Sequence, residues 1–466
     1  MSAPGFFYRD NIRDNYKKAT ENIMSRNRQP LILGAFALAA LPLATQAAGL
    51  IEDAHARLEA RNIYFNQDNR SGSAKPSKME EWGQGFLFDF TSGYTEGTVG
   101  VGVDALGMLG LRLDSGKGRH YNPESTNRAG MVFPTDSDGR AVSEFSTLGV
   151  TAKVRVAKTE ARLGTLRPRM PVLVLNDGRL LPETFEGLQV TSRDFDNLTL
   201  TGGQIQRVKS RNSSSNEGMA IAGAGGPVGK RSNEFNFAGI DYSLSKELTL
   251  QYYYGELKDF YRQHFVGLVH QYQLPVGSLK SDLRFFDSGA SGRSGSTEGR
   301  LAGYRSAGFN NDGKIDNRVL SGLFTYSLAG HGFGIGYQHM SGSSDFPFVN
   351  QGDGSATYLI TDRQTGARFQ KAGERTWVAQ HTYDFAQVGI PGLTTLLAYQ
   401  RGDHIKSARG DAHEWERNFW VNYAFQGETL KGLGVSWRNA SLRSTYAAQR
   451  DLDENRLYIT YTLPLF

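Results

Sequence analysis

The chain closes on Arg456-Leu457-Tyr458-Ile459-Thr460-Tyr461-Thr462-Leu463-Pro464-Leu465-Phe466. Successive side chains of an extended strand point to opposite faces. Leu457, Ile459, Tyr461 and Leu463 therefore share one face, and Arg456, Tyr458, Thr460 and Thr462 the other. The same period recurs upstream. Val99, Val101 and Val103 oppose Gly100, Gly102 and Asp104; Leu248, Leu250, Tyr252 and Tyr254 oppose Thr249, Gln251 and Tyr253. Phe419, Val421, Tyr423 and Phe425 oppose Asn418, Trp420, Asn422 and Ala424, and the row Trp377, Ala379, Tyr383, Phe385 is interrupted by His381. Segments of about ten residues of this kind, divided by turn residues, fill the chain beyond Ala48. Alternation alone says that one face is apolar, which a soluble sandwich also satisfies.

Composition narrows the choice. With 466 residues, 39% hydrophobic, and a mean hydropathy of −0.44, the chain holds no polytopic helical membrane protein. A barrel with lipid outside and water inside averages to such values. The 55 glycines and 21 tyrosines against 14 prolines suit short strands, tight turns and aromatic girdles. Without cysteine there is no disulfide framework, thiolate metal site or thiol nucleophile. Residues 1–47 hold six of the 52 basic and three of the 47 acidic side chains, leaving 46 and 44 from Ala48 onward. That net of +2 gives no case for nucleic acid; any preference for anions must come from placement.

The N-terminus reads as an export signal. Arg26 and Arg28 precede an apolar run from Leu31 to Leu43, and Thr45-Gln46-Ala47 supplies small residues at the −3 and −1 positions. Cleavage is expected after Ala47, so residues 1–47 form a signal with an extended N-terminus and 48–466 the mature domain. Met24 would be the more natural start. A retained membrane anchor is disfavoured by the shortness of the run and by Pro42. Beyond it, no apolar stretch is long enough to span a bilayer as a helix. Aromatics cluster at the ends of the apolar rows, as interface girdles do, and the last strand ends on Phe466, resembling the assembly signal of bacterial outer-membrane barrels. At about 23 residues per strand and connection, the mature chain makes roughly 16 to 18 strands, wide enough for an aqueous pore. Ala329-Gly330-His331-Gly332 and Lys258-Asp259 read as tight turns, whereas Ser288 to Asp316 and Ser341 to Glu374 read as long loops. The expectation is an all-β, single antiparallel transmembrane barrel with short periplasmic turns and long outer loops.

Four stretches sharpen this: 97–107 (Gly-Thr-Val-Gly-Val-Gly-Val-Asp-Ala-Leu-Gly), 176–182 (Asn-Asp-Gly-Arg-Leu-Leu-Pro), 256–263 (Glu-Leu-Lys-Asp-Phe-Tyr-Arg-Gln) and 389–394 (Gly-Ile-Pro-Gly-Leu-Thr). In this order and spacing, from about Ile51 to Phe466, the chain resembles the OprD-type porins, the outer-membrane carboxylate channels of pseudomonads. The resemblance implies a monomeric barrel of 18 strands, a loop folded inward to form an eyelet, and a lumenal ladder of basic residues that guides carboxylates. It implies small carboxylate solutes as cargo, outer-membrane lipid and the barrel assembly machinery (through Phe466) as partners, and no cofactor.

Alternation puts Arg456 inside the pore, and it matches a ladder arginine. One strand earlier, Ser436, Arg438 and Ala440 oppose Val435 and Trp437; Arg438 matches a second ladder position. Ser436 stands where a family member has arginine, so one rung is missing and a shared substrate preference is in doubt. Arg443, further along, is placed near the outer mouth. In the third-strand region Lys153 and Arg155 share the lumenal face with Thr151 against Val150, Ala152, Val154 and Val156. Pro168, Pro171 and Pro182 mark an irregular loop that leaves the sheet; within it Arg179 matches an eyelet arginine, with Arg167 and Arg169 as neighbours. A carboxylate squeezed through a narrow pore loses water. Arginine replaces it with a planar fork of donors that stays protonated, and several spaced sites let the solute pass from one to the next. Each of these residues also has a structural reading, because wide barrels brace their lumens with Arg–Asp and Arg–Glu pairs.

Other functions find less support. The glycine-rich segment 222–232 lacks the first glycine, the final Ser/Thr and the strand–helix setting of a phosphate loop. Nine histidines show no metal spacing, and no G-x-S-x-G elbow occurs. A general diffusion porin remains open, and so does an outer-membrane barrel protease or lipase, which would need a Ser/His/Asp-type cluster.

Overall fold

The computed structural model describes residues 48–72, 76–115, 118–120, 130–222, 224, 230–309, 312–350 and 355–466. Residues 1–47, expected to be an export signal, and most of the glycine-rich segment at 222–232 lie outside the described residues. No helix in them is long and apolar enough to cross a membrane.

Eighteen antiparallel strands follow one another around a closed barrel: β1 (His55–Asn69), β2 (Lys78–Thr91), β3 (Val99–Asp114), β4 (Glu144–Val156), β5 (Thr159–Leu166), β6 (Thr184–Ser192), β7 (Leu198–Lys209), β8 (Phe235–Ser243), β9 (Leu248–Leu257), β10 (Tyr261–Gln273), β11 (Ser278–Ala290), β12 (Asp316–Leu328), β13 (His331–Gly342), β14 (Arg375–Asp384), β15 (Leu393–Ile405), β16 (Ala412–Ala424), β17 (Leu433–Ser444) and β18 (Leu452–Pro464). β18 pairs back onto β1, from Arg57 opposite Pro464 to Asn69 opposite Leu452, so the sheet has no edge. The alternating last strand is the closing seam.

One face of every strand is turned outward, and around the middle of the wall that face is apolar. Leu148, Val150, Leu320, Ile335, Trp377 and Leu457 are among the large side chains left exposed there. An apolar surface this continuous is stable in lipid rather than water. Connections differ between the two ends. The lower end has tight links, such as Ala329–Gly330, where both residues take left-handed φ values of 48° and 81° and so match the twist of a hairpin. The upper end carries the long loops 115–143, 210–234, 291–315 and 343–374. Lys258–Asp259 is a tight turn, but the order of the strands puts it at the upper end, among the long loops.

The interior is not an open tube. Two upper loops, 167–183 and 343–374, fold into it. Met170, Val172, Leu173, Leu175, Phe346, Phe348 and Leu359 from these loops join Phe185, Phe235, Phe265, Phe286, Val319 and Met340 from β6–β13 in one buried cluster. Burying each such side chain contributes about 1.5–3 kcal/mol. A second cluster seats Leu180 and Leu181 against Ile63, Phe65 and Phe133. The loops thus fill the β6–β13 side and leave the passage along β1–β5 and β15–β18. Close approach needs room: a Cβ on Gly83 would lie 2.6 Å from the Phe133 ring, and one on Gly85 3.1 Å from both the Leu180 side chain and its carbonyl oxygen. Gly85→Val should therefore push 167–183 off the wall and widen the channel, read as a larger single-channel conductance in planar bilayers.

Candidate functional site

The two inward loops meet at the middle of the lumen. The chain reverses through a short antiparallel pair, Arg169–Met170 with Leu173–Val174, and Val174 bridges to Ala356 of the other loop. Asn176 to Pro182 then crosses the passage. Arg61 on β1 anchors this crossing: its guanidinium donates to Asp177 Oδ1 at 2.6 Å, to the Arg179 carbonyl at 3.0 Å and to Glu59 at 2.9 Å.

Arg456 on β18 ties both loops to the wall. Nε donates to Glu454 at 2.5 Å, Nη1 to the Gly178 carbonyl at 3.2 Å, and Nη2 to the carbonyl of Gln364. Its neighbour Tyr458 donates to the same Gly178 carbonyl at 3.0 Å. Arg438 on β17 is placed differently. It lies against the rings of Trp420 and Tyr458, at 4.8 and 5.0 Å, and donates to Ser436 Oγ at 3.2 Å. Among the described residues it has no carboxylate partner. Arg179 is buried, with the Phe65 ring 4.6 Å away, and donates to the carbonyls of Met131 and Gly178 at 3.2 and 2.9 Å. It too has no carboxylate partner among the described residues.

These side chains line a cavity of about 480 Å³ on the upper side of the crossing, together with Arg211, Arg363 and Arg368. Its lining holds six arginines and one carboxylate, Asp362. Below the crossing, a cavity of about 430 Å³ is lined by Arg57, Arg61, Arg162, Arg167 and Arg169 with Glu59, Asp89, Asp104 and Asp177. A further cavity of about 520 Å³ shares Arg61, Asp177 and Arg438 with the two. The passage is strongly cationic above the crossing and nearly balanced below it, with Arg438 at the join.

Arg167, at the start of the inward loop, lines the lower cavity and pairs with Asp89 at 2.7 Å. Arg169 lines it from the short strand pair. Lys153 and Arg155 lie on the fourth strand, not the third. Lys153 is on the inward face as alternation requires, yet no solute reaches it. The segment 92–94 covers it, and its ammonium is spent on Asp104 and the Ser92 carbonyl, each at 2.7 Å. Arg155 stacks on the Tyr94 ring at 4.1 Å at the lower rim. Arg443 does not line the pore. It shares its face of β17 with Val435 and Trp437, stands over the Trp415 ring at 5.9 Å and pairs with Asp453 at 3.0 Å, all on the outward surface.

Sequence reasoning missed Arg61, Arg211, Arg363 and Arg368. Only Arg61 carried a readable signal, since Arg57, Glu59 and Arg61 alternate with Leu58 and Ala60. The other three sit in loops without periodicity. Ser436, in the place of the missing rung, hydrogen bonds Asn422 at 2.6 Å.

Two latches hold upper loops to the barrel. His120 bridges Glu81 at 2.6 Å and Thr135 at 2.7 Å, and the second Glu81 oxygen accepts the Val132 amide at 2.8 Å. This hydroxyl–imidazole–carboxylate chain clamps the loop 115–143 onto β2. At the end of 343–374, Lys371 pairs with Glu414 at 2.9 and 3.0 Å, while the Glu374 carboxylate accepts the Lys371 amide at 3.0 Å and Asp345 accepts that of Ala372 at 3.1 Å. Burial raises the pKa of Glu374 and of Asp345, with Glu414 adding repulsion. An acid whose pKa is raised by folding stabilises the docked loop below its ordinary value of about 4 and loses that contribution as pH climbs through the raised value. Proteolytic nicking within 343–374 should therefore increase from pH 5 to pH 8, and Glu374→Gln should flatten the increase. Among the described residues no group of three or more His, Asp or Glu is placed to hold a metal ion.

Comparison with known proteins places this architecture. The family described as outer membrane porin, OprD family, matches residues 48–465. The chain is 36% identical to the porin-like protein GalP of Pseudomonas putida over 94% of this chain and 99% of that one. The crystal structure of Pseudomonas aeruginosa OccK8 (OprE) superposes with a TM-score of 0.83 at 53% identity, covering 90% of this chain and all of that one. That of P. aeruginosa OpdK with vanillate does so with a TM-score of 0.77 at 33% identity, covering 89% and 100%. A closed 18-stranded barrel with an apolar exterior and a match over the whole described domain leaves one conclusion: the chain belongs to the OprD family of outer-membrane porins.

Proposed function

We propose that this porin passes small carboxylate-bearing solutes passively into the periplasm, and that the arginines above the crossing select them. The observation that carries this reading is the upper cavity's lining of six arginines against one carboxylate. Arg438 is its working rung. Among the described residues no acid neutralises its charge, and the rings of Trp420 and Tyr458 flank the guanidinium at 4.8 and 5.0 Å, so its remaining donors can serve a carboxylate fork. Arg179 supplies a second charge at the crossing, while Arg456 and Arg61 chiefly hold the crossing in place. Arg167 and Arg169 receive the solute below, where nearby acids weaken each site enough to release it. The relative OpdK was crystallised with vanillate, itself a carboxylate. In a planar bilayer under a potassium chloride gradient, the reversal potential should show anion selectivity; cation selectivity would refute the arginine filter.

A general diffusion pore is the second reading, favoured by the lower cavity, where acids and bases are nearly matched. It requires uptake to follow size alone. We also propose that residues 1–47 are the export signal, removed before the barrel assembles as a monomer, and that Phe466 is read by the assembly machinery. The family match beginning at residue 48 supports the first of these.

A further inference from the structure

The outward face carries a feature that solute transport does not use. On β12–β17, Arg318, Arg375, Arg401, Arg417 and Arg443 all lie on the face turned away from the lumen, and all lie in the upper halves of their strands. The pairing register keeps them together: Arg375 is opposite Asp403 and His339, Arg401 opposite Trp377 and Trp415, Arg417 opposite Tyr399 and Ser441. Strands in a barrel tilt, so these staggered partners fall in one rim around the wall. The rim stands at an aromatic girdle in which Tyr337 meets Trp377 at 4.7 Å and Tyr399 stacks on Trp415 at 6.0 Å. The lower outward face of the same strands is lined instead by Phe324, Phe333, Tyr383, Val421 and Val435.

Three of the five are paired with acids: Arg443 with Asp453 at 3.0 Å, Arg401 with Asp403 at 3.4 Å and Arg318 with Asp287 at 3.2 Å. Among the described residues Arg417 has only the amide oxygen of Asn439, at 2.7 Å, and Ser441, at 3.3 Å. Arg375 has no ion-pair partner among the described residues, and neither has Arg417. A guanidinium facing lipid is costly unless a headgroup anion meets it. Below Arg375 and His339, the wall is hollowed into an apolar groove of about 480 Å³, walled by Leu283, Leu320, Phe324, Ile335 and Trp377. It opens because Gly322 has no side chain; a Cβ there would lie 3.0 Å from Leu283 and 3.6 Å from Phe324.

We propose that this face binds a phosphate-bearing, multiply acylated glycolipid of the outer leaflet, lipopolysaccharide, with its phosphates on Arg375, Arg401 and Arg417 and one acyl chain in the groove. Charge at the top, a chain-shaped apolar groove below, and the absence of arginine from the lower outward face of β12–β17 select this occupant over a phospholipid, whose headgroups in an outer membrane lie at the inner leaflet. The test measures the thermal unfolding of the refolded barrel in detergent with three lipids: diphosphorylated lipid A, its dephosphorylated form and phosphatidylglycerol. Lipid A should raise the midpoint, and the other two should not. Arg375→Gln/Arg401→Gln/Arg417→Gln should conduct as the wild type does, while its lipid A affinity falls by at least roughly tenfold, the loss expected for charge-assisted hydrogen bonds. Gly322→Leu, which keeps every arginine, guards against misfolding of the triple variant and should also weaken binding. Equal protection by dephosphorylated lipid A or by phosphatidylglycerol overturns the proposal. So does undiminished lipid A binding by both variants, or protection that comes from self-association of the barrel without lipid.

Discussion

Arg438→Gln should lower the flux of small carboxylates by roughly tenfold to a hundredfold while leaving their uncharged amides unchanged. The range follows from the net value of a hydrogen bond to a charged group, about 1.5–3 kcal/mol, at about 1.4 kcal/mol per factor of ten. The variant is a clean probe because of what Arg438 does not do. It anchors no loop carbonyl, and its removal strands no buried acid; Ser436 Oγ and two aromatic rings are its neighbours. The barrel should unfold at an unchanged temperature, and Arg438→Lys should restore charge but not the planar fork, recovering flux in part. Paired flux and melting measurements check this: a loss of flux for acid and amide alike would mean that the substitution had deformed the passage.

Arg456→Met should produce the opposite pattern, a less stable and less selective channel. Arg456 is nine-tenths or more buried and its three donor groups are engaged by Glu454, Gly178 and Gln364. Removing it leaves the fully buried Glu454 without its counter-charge, although one Glu454 oxygen already lacks a partner. Breaking a buried pair in this way costs about 3–5 kcal/mol. Two loops also lose their shared tether, so the crossing should loosen: conductance rises, current noise grows and discrimination between acid and amide falls. Glu454→Gln/Arg456→Met removes both charges and should recover much of the stability without the selectivity. A single variant that kept wild-type stability and noise while losing only carboxylate flux would make Arg456 a rung instead of a tether.

These two arginines show how far the sequence could be read. In β18, strict alternation put Arg456 in the lumen, where it is. The same rule applied along β17 puts Arg438 inside and Arg443 outside, since Val435, Trp437 and Arg443 are all odd-numbered positions of one uninterrupted strand. Assigning Arg443 to the mouth followed its position along the strand and overlooked its face. Lys153 illustrates the reverse limit. Its face was legible, but the covering segment at Ser92–Tyr94 is a tertiary contact that no local pattern announces. Arg363 and Arg368 lie in a loop whose backbone follows no period, and their convergence on Arg179 depends on Phe346, Phe348 and Leu359 seating that loop against β10–β13. Strand count, closure and loop asymmetry depend on local periodicity and were accessible. The composition of the eyelet depends on how two long loops pack and was only partly so.

The most direct test of the arginine filter uses the wild-type protein in liposomes and compares the uptake of benzoate with that of benzamide, which match in size and shape but differ in charge. Benzoate should enter faster, with the advantage reduced by high salt as screening weakens the cationic cavity. Equal rates, or a faster amide, would mean that the six arginines around the upper cavity brace the barrel and do not choose what passes through it.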